Sequence, residues 1–136
     1  MLLIEKEFAD EMIAHSLEED PNECCGILAG KDEAVEKLYR ITNTAKSPHR
    51  YLMDPQEHFN AMRDSENEGW GLLAFYHSHT YSPAYPSATD VRMAQQSGYH
   101  NEYYVLVSLE SKEDPEIRSF HILESGDIVE EEIAMG

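Results

Sequence analysis

Residues 70–79 read WGLLAFYHSH, apolar almost throughout until two histidines close the run. A strand with one solvated face alternates apolar and polar residues. This one does not, so it predicts a strand covered on both faces, as in a sheet packed between helices. Working outward, residues 103–109 (YYVLVSL) predict a second strand of that kind, and residues 87–98 (SATDVRMAQQSG) read as a helix closed by Gly98. Residues 116–123 (EIRSFHIL) alternate after the acidic turn SKEDP and predict a further strand. Upstream, CCGILAG (24–30) and AVEKLYRIT (34–42) read as strands joined by a hairpin at KDE. Phe8, Met12, Ile13 and Leu17 recur at helical spacing between Glu5 and Leu17, and EEDPNE stops that helix. Asn43 to His49 reads as a loop and Tyr51 to Met53 as a brief strand. Asp54-Pro55 then gives an N-cap with proline in the first turn, opening a helix through Met62 that ends before Gly69. Strands and helices interleave, so the expected fold is an α/β sandwich, a mixed sheet flanked by helices in a single domain over 1–136.

The length of 136 residues suits one domain with a real core, and a hydrophobic fraction of 41% argues against disorder. The net charge of -17 repels phosphate backbones and no basic patch offsets it, so nucleic acid is excluded as an expected partner. Runs such as EED, SENE and VEEE read as solvated surface. The N-terminal MLLIEKEF has acids where a signal peptide has bases, and no apolar run approaches the length of a membrane span. A soluble cytoplasmic protein is expected. The two cysteines, Cys24 and Cys25, are adjacent and close no useful loop, which suits a reducing compartment.

Chemistry concentrates at the end of the opening strand, in residues 75–90 (FYHSHTYSPAYPSATD). Side chains two apart on a strand share a face, so His77 and His79 aim at one point while Ser78 points away. Alone, such a pair more often marks surface or core histidines than a metal site. Ser87 and Asp90 also have an ordinary reading, because Ser-x-x-acid after proline resembles a capping box. Taken together, two histidines and a carboxylate match the three protein ligands of a catalytic zinc with a fourth position left for water, and His77, His79 and Asp90 would be the three. Hydrolysis there also needs a base and a donor to the developing oxyanion. Ser87 is the candidate donor. Glu23, immediately before the apolar run CCGILAG, is the candidate base, although a solvated acid there would be unremarkable.

The run His77-Ser78-His79, seven residues, Ser87, two residues, Asp90, with Glu23 upstream, resembles the JAMM motif of the MPN-plus metalloproteases. The likeness extends over nearly the whole chain, including His49-Arg50-Tyr51-Leu52-Met53-Asp54-Pro55, which is similar to the small stand-alone prokaryotic members. It implies a fold like that of cytidine deaminases, with a curved sheet between helices. It also implies one zinc per chain on His77, His79 and Asp90, Glu23 as the base that activates water, and Ser87 as the oxyanion stabiliser. His49 and Arg50 become candidate substrate contacts. Family members cleave bonds that follow the Gly-Gly tail of ubiquitin or its relatives. The chain has little room for the insertions of eukaryotic deubiquitinases.

The resemblance to the stand-alone prokaryotic members, some of which process sulfur carriers, implies as substrate a ubiquitin-like sulfur-carrier protein, cleaved at its C-terminal tail to remove terminal residues or a cysteine. Alternatives are a deubiquitinase-like isopeptidase, a small-peptide hydrolase with the same site, and a non-catalytic MPN module. The last loses ground because the ligand set is complete. Nucleoside deaminases are set aside, since their H-x-E and P-C-x-x-C ligands are absent. Cys24 and Cys25 read as small apolar strand residues rather than nucleophiles. The remaining histidines, His15, His58, His100 and His121, have no ligand spacing. The sequence leaves room for a homodimer.

Overall fold

A computed structural model of the protein describes residues 1–136. Its elements are β1 (Leu2–Ile4), α1 (Lys6–Glu19), β2 (Cys25–Lys31), β3 (Ala34–Ile41), α2 (Pro55–Asn67), β4 (Gly71–His79), α3 (Ala88–Ser97), β5 (Tyr103–Ser108), β6 (Glu116–Ile122), β7 (Ile128–Glu131) and β8 (Ile133–Met135). All strands join one mixed sheet in the order β7-β6-β5-β4-β2-β3-β1-β8. Strand β4 pairs with β5 in parallel and with β2 antiparallel, so its backbone is bonded on both sides. Strands β7 and β8 stand at opposite ends of that order, yet Glu132 alone separates them in sequence. The sheet therefore curls until its two edges approach one another.

The curl gives two cores. Ala74 and Tyr76 of β4 face α1 and pack with Met12, Leu28 and Val105. Phe75 faces the other way, toward α2 and α3, with Ile27, Ala61, Ala94, Leu106 and Phe120. Each such large apolar side chain contributes about 1.5–3 kcal/mol by leaving water. The alternation along β4 puts His77 and His79 on the α2/α3 side and Ser78 on the α1 side. There the Ser78 hydroxyl accepts from the Cys24 N–H at 2.8 Å. Tyr76 is fully buried, and its hydroxyl lies 2.7 Å from His15 Nδ1, so that buried polar end is paired. Gly26 sits opposite Tyr76 in the ladder, where any Cβ would overlap the tyrosine ring.

The α/β sandwich with a mixed, curved sheet flanked by helices is as expected, and the hairpin, the buried strands and the Gly98 cap are all present. The differences are local. Residues 51–53 form no strand and contribute only a bridge from Met53 to Asn43. Strands β1, β7 and β8 were not anticipated, because three or four residues are too few to show a period. Part of the acidic run VEEE is strand, with Glu130 paired to Arg118 across β6. No helix is long and apolar enough to cross a membrane.

Candidate metal centre

Two devices build the site. The first is the β2–β4 ladder, in which Cys25 stands opposite His77 and Ser78 N–H donates to Cys24 O at 3.2 Å. Just before β2, Glu23 lines one cleft with His79. The second is the start of α3. Ser87 is its N-cap, with the Ser87 hydroxyl accepting from Asp90 N–H (3.1 Å) and Asp90 Oδ2 accepting from Ser87 N–H (2.9 Å). The capping-box reading is thus correct, and the same box aims the Asp90 carboxylate at the end of β4.

Asp90 Oδ2 lies 3.1 Å from His77 Nε2 and 2.9 Å from His79 Nε2, and the two nitrogens are 3.3 Å apart. All three residues are buried. Tetrahedral zinc with bonds near 2.0–2.1 Å separates its ligand atoms by about 3.3 Å, so this triangle fits that ion with little adjustment. The charge state fits too. Burial works to raise the Asp90 carboxyl, but His77, His79 and the Ser87 N–H outweigh it and hold the group well below the usual carboxylate range. His79 is pulled the opposite way. Burial lowers its affinity for a proton, and the Asp90 carboxylate and Pro83 carbonyl more than reverse this. Its Nδ1 donates to Pro83 O at 3.0 Å, so on loss of a proton the free lone pair is the one at Nε2, inside the triangle.

Glu23 is 3% exposed, and its Oε1 has no hydrogen-bond partner. Burial raises its carboxyl to about 7, with His77 pulling it down and Asp90 pushing it up. The residue lines a cleft of about 200 Å³ together with Pro48, His49, His79, Thr80, Ser82 and Ser87. The structure therefore gathers Glu23, Ser87 and the three candidate ligands, and adds His49 at the wall. Arg50 is exposed and stands outside that lining.

Cys24 and Cys25 are buried on opposite faces of the sheet, and burial pushes both thiols upward, so neither is disposed to act as a nucleophile. Two contributors escaped sequence reasoning. Asn43 ties the base to its surroundings, its Nδ2 donating to Glu23 O (3.0 Å) and Arg50 O (3.1 Å) while its Oδ1 accepts from Leu52 N–H (2.9 Å). Pro83 supplies the carbonyl for His79. Asparagine at a strand end and proline in a turn are common, so neither carried a signal.

Residues 5–123 match the family described as prokaryotic homologs of the JAB domain. The chain is 36% identical over 135 residues to the CysO-cysteine peptidase of Mycobacterium tuberculosis, covering 98% of this chain and 90% of that one. It is 40% identical over 96 residues to a Thermus thermophilus protein named "probable TtuB-protein conjugate cleaving protease", covering 70% of this chain and 64% of that one. The solution structure of protein DSY2949 from Desulfitobacterium hafniense superposes with a TM-score of 0.88 at 36% identity, covering all of this chain and 93% of that one. With this match over most of its length and a His-His-Asp cluster in its fold, the chain belongs to the prokaryotic JAB family.

Proposed function

We propose that the protein is a zinc peptidase that hydrolyses the bond following the Gly-Gly end of a ubiquitin-like sulfur-carrier protein. The observation that carries the reading is Glu23, a buried carboxylate whose Oε1 is bonded to nothing, in a cleft shared with His79 and Ser87. An unpaired buried carboxyl costs stability, and catalysis gives it a purpose. The similarity to a CysO-cysteine peptidase supports the substrate class.

His77, His79 and Asp90 hold the zinc, which when bound polarises the scissile carbonyl and acidifies water. Glu23, poised near neutrality, takes the proton of the attacking water and returns it to the leaving amine. The Ser87 hydroxyl accepts from Asp90 N–H, so its own hydrogen is free to donate to the carbonyl oxygen as it becomes tetrahedral. A cleft of about 200 Å³ suits a tail without side chains, such as Gly-Gly, better than a bulky segment. His49 contacts that tail from the wall, and Arg50 meets the body of the carrier outside it. The cytoplasm is the compartment that keeps two free thiols reduced.

The test is intact-mass spectrometry of carriers extended beyond Gly-Gly, incubated with enzyme holding one zinc, with Glu23→Gln alongside. Cleavage after Gly-Gly by the wild type, reduced about 10²–10⁴-fold in the variant, is the expected result. Similarity to a conjugate-cleaving protease favours a second reading, isopeptide hydrolysis. Turnover of an isopeptide-linked carrier with no cleavage of an extended one would replace the first reading by the second.

A further inference from the structure

The two histidines of the cluster are held in different ways. His79 is locked by its Nδ1 hydrogen bond to Pro83 O. His77 Nδ1 is buried and bonded to nothing, so no second hydrogen bond sets the orientation of its ring. Against that ring lies Tyr51, with centroids 4.6 Å apart and planes tilted by 31°, a close ring-on-ring contact. We infer that Tyr51 is the positioning residue for His77, its ring face doing for that imidazole what the Pro83 carbonyl does for His79.

The backbone around Tyr51 is built to hold it there. Asn43 Nδ2 donates to Arg50 O on one side of the residue, and Asn43 Oδ1 accepts from Leu52 N–H on the other. Thr44 N–H adds a bond to Leu52 O at 2.8 Å. The same Asn43 amide donates to Glu23 O, so the clamp and the base are referenced to one side chain. Tyr51 also borders an apolar cavity of about 210 Å³, shared with Met53, Phe75, Tyr99 and Tyr104. The tyrosine ring is the partition between that space and His77. Removing it opens room into which the imidazole can turn, and metal ligands without fixed orientation lose affinity.

This inference rests on His77 being a metal ligand, and its test separates the two ideas. Tyr51→Leu, Tyr51→Phe and Tyr99→Leu are compared by zinc affinity in chelator competition and, without metal, by the imidazole resonances of His77. Tyr99 lines the same cavity but packs edge-to-face on Phe75 (4.9 Å). Tyr51→Leu is expected to weaken zinc about 10–100-fold and to broaden or split the metal-free His77 signals. Tyr51→Phe keeps the ring face, and it and Tyr99→Leu are expected to stay within about twofold of wild type. Unchanged affinity and unchanged signals in Tyr51→Leu would overturn the inference, as would an equal loss in Tyr99→Leu. Absence of zinc binding by the wild type would sink the ligand reading, and the metal-free spectra would still decide the clamp. Should Tyr51→Leu not fold, Tyr51→Met fills similar volume without a ring face and is read in the same way.

Discussion

Ser87 has two jobs that substitution can separate. Its hydroxyl oxygen accepts from Asp90 N–H at 3.1 Å, and the proposed mechanism uses its hydroxyl hydrogen on the oxyanion. Ser87→Ala removes both. Losing an N-cap costs about 1 kcal/mol, which for a chain of 136 residues lowers the melting temperature by about 3–4 °C. Losing an oxyanion donor lowers kcat by about 10²–10³. Ser87→Gly differs in one respect, because glycine is a tolerable N-cap and the stability loss shrinks to a few tenths of a kcal/mol, about 1 °C. Ser87→Thr retains both functions. The second bond of the capping box, from Ser87 N–H to Asp90 Oδ2, is made by the backbone and survives in all three variants, so the candidate ligand stays aimed. Initial rates on an extended carrier, thermal unfolding and zinc content per chain are the measurements. The glycine variant should melt like wild type and be as slow as the alanine variant. If its activity instead recovers with its stability, Ser87 is a cap alone and the oxyanion role is wrong.

Gly26→Ala should be severe for so small a change, because the added methyl meets the ring of fully buried Tyr76. Overpacking costs about 1–3 kcal/mol, and displacement of Tyr76 also breaks its bond to His15, so denaturant midpoints should fall clearly. An unchanged midpoint would show that Tyr76 can move freely. His15 should make stability fall in acid. Burial, reinforced by Arg40, lowers its pKa from 6.5 to about 4, so the unfolded chain takes up the proton first as pH drops. The contribution is complete above pH 6.5 and erodes down to about 4, by up to about 2–3 kcal/mol. The stability difference between wild type and His15→Phe should shrink over that window, and parallel curves would refute the argument.

What could be read in the sequence was what is decided over a few residues. The pairing of His77 with His79 follows from strand period, the Ser87–Asp90 box from the first turn of a helix, and the covered character of β4 from its lack of alternation. Glu23 was a bare candidate by position, since its approach to the cluster depends on the register of β2 against β4, and no spacing along the chain encodes a register. The JAMM resemblance supplied that link. The same limit hid the pairing of His15 with Tyr76, 61 residues away, and the use of Asn43 to fasten Glu23. Strands β1 and β8 were invisible for another reason. Each is three residues long and is defined by its partner across the closing of the sheet rather than by its own composition.

The charge of the protein bears on how substrate arrives. Acidic residues outnumber lysine and arginine by 27 to 10, yet Glu23 is the one carboxylate among the residues lining the cleft. The long-range field should therefore repel an acidic carrier, while a neutral tail meets no exposed charge once inside. Ionic strength separates these effects, because the screening length falls from about 30 Å at 0.01 M to about 8 Å at 0.15 M. Over that change, kcat/KM for an intact acidic carrier should rise about threefold to tenfold at constant kcat. An uncharged peptide carrying the same Gly-Gly junction should show no change. A fall with salt for the carrier would mean that a local attraction, for which the exposed Arg50, next in sequence to the lining residue His49, is a candidate, outweighs the field of the whole molecule. Arg50→Ala would then turn the fall into the predicted rise.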